Sequence, residues 1–253
     1  MTDLQKASLW KRISAALFDG ILLGIVVVGA AAILSGVFGY DGYVQQLGEA
    51  YAKYGQQYGV EIPLEQSAYD ALSETAQENY RAAMDAINAD PAAVRSYNMT
   101  YQLPLLIVTL SVLFGVLLFE FLFPLIFGNG QTLGKKIFGV ALMRVDGIKV
   151  TGVQNFVRAV LGKYAVELMI PIFVCLNLYL NGSVNLIMLA LLALMVISQF
   201  ICLIATRTGS FLHDVMACTV AVDLASQMIF DSKEEQLDYI KKIHAQNVEN
   251  STY

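Results

Sequence analysis

Charge is scarce in this sequence. Only 15% of its 253 residues are charged, while 57% are hydrophobic, and an average soluble domain has about 25% charged residues. The apolar residues come in long blocks rather than at the spacing of a soluble core. This composition indicates a membrane protein.

Cysteine and histidine are also few, which excludes two kinds of site. The three cysteines, Cys175, Cys202 and Cys218, lie in or beside apolar segments without metal-like spacing. That pattern argues against a disulfide framework and against zinc. The two histidines, His213 and His244, are too few for a histidine-rich metal site. We therefore expect no metal and no cofactor. The first apolar run is too long for a cleavable signal peptide, so we expect none.

Four apolar runs are long enough to cross a bilayer, which takes about 20 residues. They cover residues 13–38, 101–127, 164–180 and 186–205. We predict an all-α polytopic membrane protein with four transmembrane helices. Its segments are an amino-terminal segment with the first helix (1–40), an extracytoplasmic insertion (41–100), the second helix (101–127), a cytoplasmic interfacial helix and hairpin (128–163), the third and fourth helices (164–205) and a cytoplasmic His-Asp segment with a tail (206–253).

The orientation follows from the positions of lysine and arginine, which favour cytoplasmic loops. Residues 128–163 carry six basic side chains and one acid, whereas residues 41–98 carry three basic side chains and nine acids. We predict a multi-pass protein with both termini in the cytoplasm and with the acidic loop outside.

The acidic outer loop is too long for a simple connection and is rich in helix-forming residues. We predict that it forms a helical cap, with a helix over residues 42–58, a longer one starting at Pro63, and a third after Pro91. A protein partner at this cap is left open.

The stretch "GNGQTLGKKIFGV" looks like a phosphate-binding loop, but its glycine and lysine spacing does not fit one. We expect no nucleotide or nucleic acid here. We predict instead a short interfacial helix with Lys135 and Lys136 at anionic lipid headgroups on the cytoplasmic side. After it, Asp146 and Gly147 favour the turn of a small β-hairpin, to which residues 218–223 can add a strand.

Small residues recur every four positions in the first span, at Ala16, Gly20 and Gly24. This spacing lets two transmembrane helices approach closely. The contact is internal or joins two copies of the chain, and the sequence leaves both open.

Three stretches resemble the RDD family of bacterial membrane proteins: "WKRISAALFDGIL", "GQTLGKKIFGVALMRVDG" and "GSFLHDVMACTVAV". The resemblance implies a bacterial plasma membrane protein in which Arg12, Asp19 and Asp214 are the characteristic residues. It places Cys218 where a glycine is expected. A transport role is suggested for the family, and cation/proton exchange has been proposed for some members.

Asp19 lies two helical turns beyond Arg12 on about the same face, roughly 10 Å along the axis. An ionised aspartate in a membrane needs a partner, and the candidates are Arg12, Arg158, Lys163 and Arg207. In one hypothesis, Arg12, Asp19 and Asp214 form a fixed ionic lock. In the other, a carboxylate changes its protonation as an ion passes.

Two further side chains, Glu120 and His213, complete the candidate polar cluster. Glu120 lies deep in the second span, and we expect Glu167 to pair locally with Lys163 four residues earlier. We expect His213 to be a hydrogen-bonded structural residue, because no nucleophile accompanies it.

Two functions are consistent with these features. The first is a small transporter, oligomeric because four spans are few for a transport path, with Asp19 as the proton-linked or ion-linked group. The second is a scaffold or accessory subunit whose outer cap binds an envelope or secreted protein. We expect no enzyme, since no paired-aspartate, zinc or serine-histidine arrangement is present.

Overall fold

The computed structural model describes residues 4–183 and 185–251. Helices α1 (Leu9–Phe38), α5 (Pro91–Phe127), α7 (Gly152–Asn181) and α8 (Leu186–Ala205) are long and apolar enough to cross a membrane. The four predicted spans are therefore found, although α5 and α7 each begin about ten residues earlier than the apolar runs. Two segments, Leu117–Leu122 of α5 and Val157–Leu168 of α7, have π-helical geometry.

Residues 29–110 form one compact unit. Helix α2 (Tyr40–Tyr58) packs against α4 (Glu74–Ala89), with Leu47, Ala83 and Ile87 buried between them. The predicted helix from Pro63 is wrong in its start, because only the short α3 (Gln66–Asp70) precedes α4. Ser73 caps α4 by accepting a hydrogen bond from Ala76 N. The predicted third helix is the beginning of α5 itself, which starts at Pro91.

Residues 1–28 and 111–253 form the other unit. It contains α6 (Leu133–Ile137), strand β1 (Val140–Arg144), α9 (Leu212–Met216), strand β2 (Thr219–Asp223) and α10 (Lys233–Ser251). The strands pair antiparallel, with Leu142 opposite Ala221. Both faces of this sheet are buried, which suits its valine-rich and alanine-rich strands.

The sheet confirms the predicted strand over 218–223 but corrects the predicted hairpin. Asp146 and Gly147 do make a turn, with Gly147 at φ +90°. After the turn, however, only an isolated bridge joins Met143 to Lys149, and the main partner of β1 is the distant β2. The pairing brings β2, which follows the fourth span in the chain, against β1, which follows the second span.

Candidate functional site

Buried and partly buried charged side chains meet where α1, α5, α6, α7 and α9 come together in the second of these units. Four are cationic, four are acidic and one is a histidine, so the formal charges balance when the histidine is neutral. We call these nine residues the charge cluster: Arg12, Asp19, Glu120, Lys135, Arg158, Lys163, Glu167, His213 and Asp214.

Arg158 is the centre of the cluster and is only 2% exposed. Its Nε donates to Asp214 Oδ1 at 2.7 Å, and its Nη1 donates to Glu120 Oε2 at 3.3 Å. The planar guanidinium can hold two carboxylates at once because its donors point in fixed, different directions. Arg158 thus links α7 to both α5 and α9.

The π-helical part of α7 explains how one helix supplies three members of the cluster. Arg158, Lys163 and Glu167 are separated by five and four positions. At about 3.6 residues per turn in an α-helix, Arg158 and Glu167 would lie on opposite faces. A π-helix forms i→i+5 bonds and takes roughly 4.4 residues per turn. This wider turn brings the three side chains to one face, and π-helical turns frequently occur at functional sites.

Glu120 lies in the π-helical part of α5, and cationic side chains from two other elements, α6 and α7, surround its carboxylate. Lys163 donates a hydrogen bond to Glu120 Oε1, Arg158 binds Oε2, and Lys135 Nζ lies 3.7 Å from Oε2. Glu120 is only 5% exposed. The expected local pair of Lys163 with Glu167 is wrong, because Lys163 reaches across to α5 instead.

Asp19 is buried, at 5% exposure, but it is held by groups other than a basic side chain. Its carboxylate accepts a hydrogen bond from Thr132 Oγ1 and another from Gly134 N at 2.7 Å. Both donors belong to the start of α6, where the helix dipole also favours a negative charge. Among the described residues no basic side chain forms an ion pair with Asp19. The expectation that a guanidinium holds it is therefore wrong.

The contact between Asp19 and α6 requires a glycine. A Cβ on Gly134 would lie 2.3 Å from Ala15 O and 2.9 Å from Asp19 Cγ. The backbones of α1 and α6 approach too closely for any side chain at this position. Asp19 therefore pins the first span directly to the segment that follows the second span.

Arg12 turns away from Asp19 and towards the segment before α9. Its Nη1 donates to Gly209 O at 2.7 Å, and the guanidinium lies 5.0 Å from the centre of the Phe211 ring. Its Nη2 is 4.0 Å from Asp214 Oδ2 and has no hydrogen-bond partner among the described residues. Asp214 is thus shared between Arg12 and Arg158, with Arg158 much closer.

His213 and Asp214 carry the cluster into α9. His213 Nδ1 lies 2.8 Å from Glu167 Oε1, and the same oxygen accepts a hydrogen bond from the side chain of Gln199. Burial lowers the pKa of His213, which favours the neutral ring. For Asp214, burial opposes ionisation, but the charge of Arg158 and its hydrogen bond, together with His213 whenever that ring is protonated, outweigh the burial and hold the pKa of Asp214 well below the usual range.

Lys135 is buried in the cluster, so its predicted contact with lipid headgroups is wrong. The residue is 8% exposed, and its Nζ has no hydrogen-bond partner among the described residues. Burial, together with the charge of Arg158, lowers the pKa of Lys135 to about 7. Its neighbour Lys136 is exposed and lies 4.2 Å from the centre of the Phe127 ring, so only Lys136 stays available to headgroups.

The small residues of the first span do not lie at a close contact between helices. Ala16, Gly20 and Gly24 are exposed, and a Cβ on either glycine would meet no described atom within 4 Å. The close approach of the first two spans occurs instead at Gly115, where a Cβ would lie 2.6 Å from Leu23 Cδ1. The internal alternative is therefore wrong, and a contact between two copies stays a prediction.

Two cavities flank the charge cluster. One has a volume of about 80 Å³ and is lined by Arg12, Lys135 and Asp214, among others. The other has a volume of about 170 Å³, and its wall includes Glu120 and the apolar side chains of Leu23, Val116, Phe119 and Leu168. Ala16, Asp19 and Lys163 line both cavities. These three residues therefore lie between the two cavities.

The family model for the RDD family matches residues 6–218, which is most of the chain. The chain belongs to the RDD family. No match was found among the curated proteins or among the solved structures. The match to the RDD model spans all nine residues of the charge cluster. Among residues 4–183 and 185–251, no group of three or more His, Cys, Asp or Glu side chains is placed to hold a metal ion.

Sequence reasoning identified five members of the cluster in this RDD protein: Arg12, Asp19, Glu120, His213 and Asp214. It missed Lys135 as a member, because the adjacent Lys136 made the two look like a headgroup pair. It treated Arg158 and Lys163 as candidate partners of Asp19, and Glu167 only as a local partner of Lys163. On an α-helical wheel Arg158, Lys163 and Glu167 do not share a face. The signal that could have grouped them is their spacing, which suits a π-helix.

Proposed function

We propose that this RDD protein is a small membrane transporter in which the charge cluster holds a proton that is exchanged for, or moved with, a small ion or solute. The observation that carries the proposal is Lys135. Its ammonium group is buried without a hydrogen-bond partner, borders a cavity and lies 3.7 Å from Glu120. Charged groups buried in this way mark ion pathways and proton relays in membrane proteins.

The pKa of Lys135, lowered to about 7, supports a carrier role. A group that gains and loses a proton during a transport cycle works best when its pKa lies close to the surrounding pH. Asp19 fits this role less well, because two hydrogen-bond donors fix its carboxylate in place. The proposed proton-linked group is therefore Lys135, with Glu120 as its counter-ion, and not Asp19.

The proposal includes a location and an orientation. We place the protein in the bacterial plasma membrane with both termini in the cytoplasm, because residues 128–163 are rich in lysine and arginine. Residues 29–110 then contain the extracytoplasmic cap. An oligomer would supply the further spans that a transport path needs. The protein is proposed to act without enzymatic chemistry.

A scaffold is the second candidate, and a specific observation favours it. Each of the four carboxylates in the cluster accepts hydrogen bonds from at least two described residues. Such saturation is what a fixed ionic lock between spans requires. On this alternative, the lock holds the membrane part rigid while the cap binds an envelope or secreted protein.

Flux through sealed vesicles distinguishes the two functions. Purified protein is reconstituted into vesicles containing a pH-sensitive dye, and gradients of sodium, potassium or chloride are imposed in turn. We expect proton movement driven by one of these gradients, lost in Lys135→Met and kept in Lys136→Met, which removes the neighbouring exposed lysine. If no gradient moves protons through the unmodified protein while it stays folded, the scaffold is favoured.

A further inference from the structure

The smaller cavity of the charge cluster contains an unusual combination of unsatisfied donors. Arg12 Nη2 and Lys135 Nζ both border it, and neither has a hydrogen-bond partner among the described residues. Both side chains are only 10% exposed. Buried charged donors without hydrogen-bond partners are strongly unfavourable. The acid oxygens that face them, Glu120 Oε2 at 3.7 Å from Lys135 and Asp214 Oδ2 at 4.0 Å from Arg12, lie beyond hydrogen-bonding distance.

The carboxylates at the cavity wall are already engaged elsewhere. Asp19 accepts hydrogen bonds from Thr132 and Gly134, and Asp214 Oδ1 accepts one from Arg158. Asp214 Oδ2 is the nearest acid oxygen to Arg12 Nη2, at 4.0 Å, which is beyond hydrogen-bonding distance. The wall carries four cations against these two acids.

We propose that this cavity is a binding site for one small inorganic anion, held by Arg12 and Lys135. The volume of about 80 Å³ is several times the roughly 10–15 Å³ that one water needs, so it has room for an ion such as chloride. The inference concerns equilibrium binding and holds whether or not any solute crosses the membrane.

Anion binding should also depend on pH. An anion at Lys135 favours its protonated form, so binding takes up a proton and is tighter at lower pH. The charged groups that face Lys135 are Asp19 from α1, Glu120 from α5, Arg158 and Lys163 from α7, and Asp214 from α9.

Thermal unfolding of the 253-residue chain in lipid-free detergent tests the site. Chloride is titrated against gluconate at constant sodium, so that ionic strength does not change. We expect a saturable, chloride-specific stabilisation, worth about 100-fold in the folding equilibrium at 100 times Kd, and stronger at pH 6 than at pH 8. Lys135→Met should abolish it, and the matched variant Lys136→Met should retain it.

Several results would overturn the anion site. Coinciding chloride and gluconate curves for the unmodified protein would mean that only water fills the cavity. Stabilisation by added phosphatidylglycerol but not by chloride would assign the donors to a lipid headgroup. Equal loss in Lys136→Met would show a general charge effect. If Lys135→Met does not fold, Arg12→Gln takes its place. Flux plays no part in these measurements, so they can fail or succeed independently of the transport proposal.

Discussion

Removal of the Arg158 guanidinium should destabilise the protein more than most single substitutions. Arg158 makes hydrogen bonds to two buried carboxylates, Asp214 at 2.7 Å and Glu120 at 3.3 Å, and bonds to charged groups are worth about 1.5–3 kcal/mol each. Arg158→Gln leaves these acids short of positive charge in a buried site, where loss of one ion-pair partner costs about 3–5 kcal/mol. We expect a loss of about 4 kcal/mol in the free energy of unfolding.

A double-mutant cycle isolates the interaction. Asp214→Asn combined with Arg158→Gln removes one charge of each sign, so the double variant should be more stable than the sum of the single losses implies. Arg144→Gln is the control, because Arg144 pairs with Asp146 at the same 2.7 Å but with both side chains more than a third exposed. That change should cost at most about 1 kcal/mol.

Equilibrium unfolding in mixed detergent and dodecyl sulfate micelles, followed by circular dichroism, measures the unmodified protein and all four variants. A loss of less than about 1 kcal/mol in Arg158→Gln would refute the reasoning, since it would mean that the two acids do not depend on the guanidinium. Strict additivity in the cycle would refute it as well.

Three further predictions follow from single positions. Gly134→Ala should lower the free energy of unfolding by about 3 kcal/mol or more, because the new methyl group would overpack against Ala15 O and weaken the hydrogen bond to the Asp19 carboxylate. The control Gly20→Ala has open space around it and should change this free energy by at most about 1 kcal/mol. Equal effects of the two substitutions would contradict the close packing at Gly134. Cys218 has φ +54°, a conformation that costs L-residues roughly 1–2 kcal/mol, so Cys218→Gly should stabilise the protein by about 0.5–1 kcal/mol after the entropy of glycine is subtracted; destabilisation in the same unfolding assay would contradict this. The pKa of Lys135 is about 7 in the folded state and near 10.4 when the chain is unfolded. Between these pH values the folded protein binds fewer protons than the unfolded chain, so its free energy of unfolding should rise with pH. Lys135→Met should remove this rise.

The sequence was sufficient to predict the membrane spans, because hydropathy over about 20 residues is a strong and local signal. It was also sufficient for the strand near residue 219, whose valines suit a buried sheet. The positive φ of Cys218 agrees with the glycine that the family resemblance places there. These features depend on local composition or on the backbone of one residue, so they can be predicted without knowledge of tertiary contacts.

The partners within the charge cluster could not be predicted in the same way. The expected bond from Arg12 to Asp19 assumed one regular helix and ignored α6, whose backbone N–H at Gly134 is a donor that no side-chain pattern reveals. The residues of α7 converge only because that helix is π-helical over Val157–Leu168. The hairpin prediction failed because β2, almost eighty residues away, outcompetes the local strand.

The titration of Lys135 tests the account most directly. Nitrogen-15 NMR of lysine Nζ groups, in protein reconstituted in nanodiscs and assigned with Lys135→Arg, reports the protonation of each lysine as pH is raised. The account predicts that Lys135 titrates with a midpoint near 7, well below the exposed lysines. A midpoint close to the ordinary value of about 10.4 would contradict the buried, proton-exchanging role on which the proposed function rests.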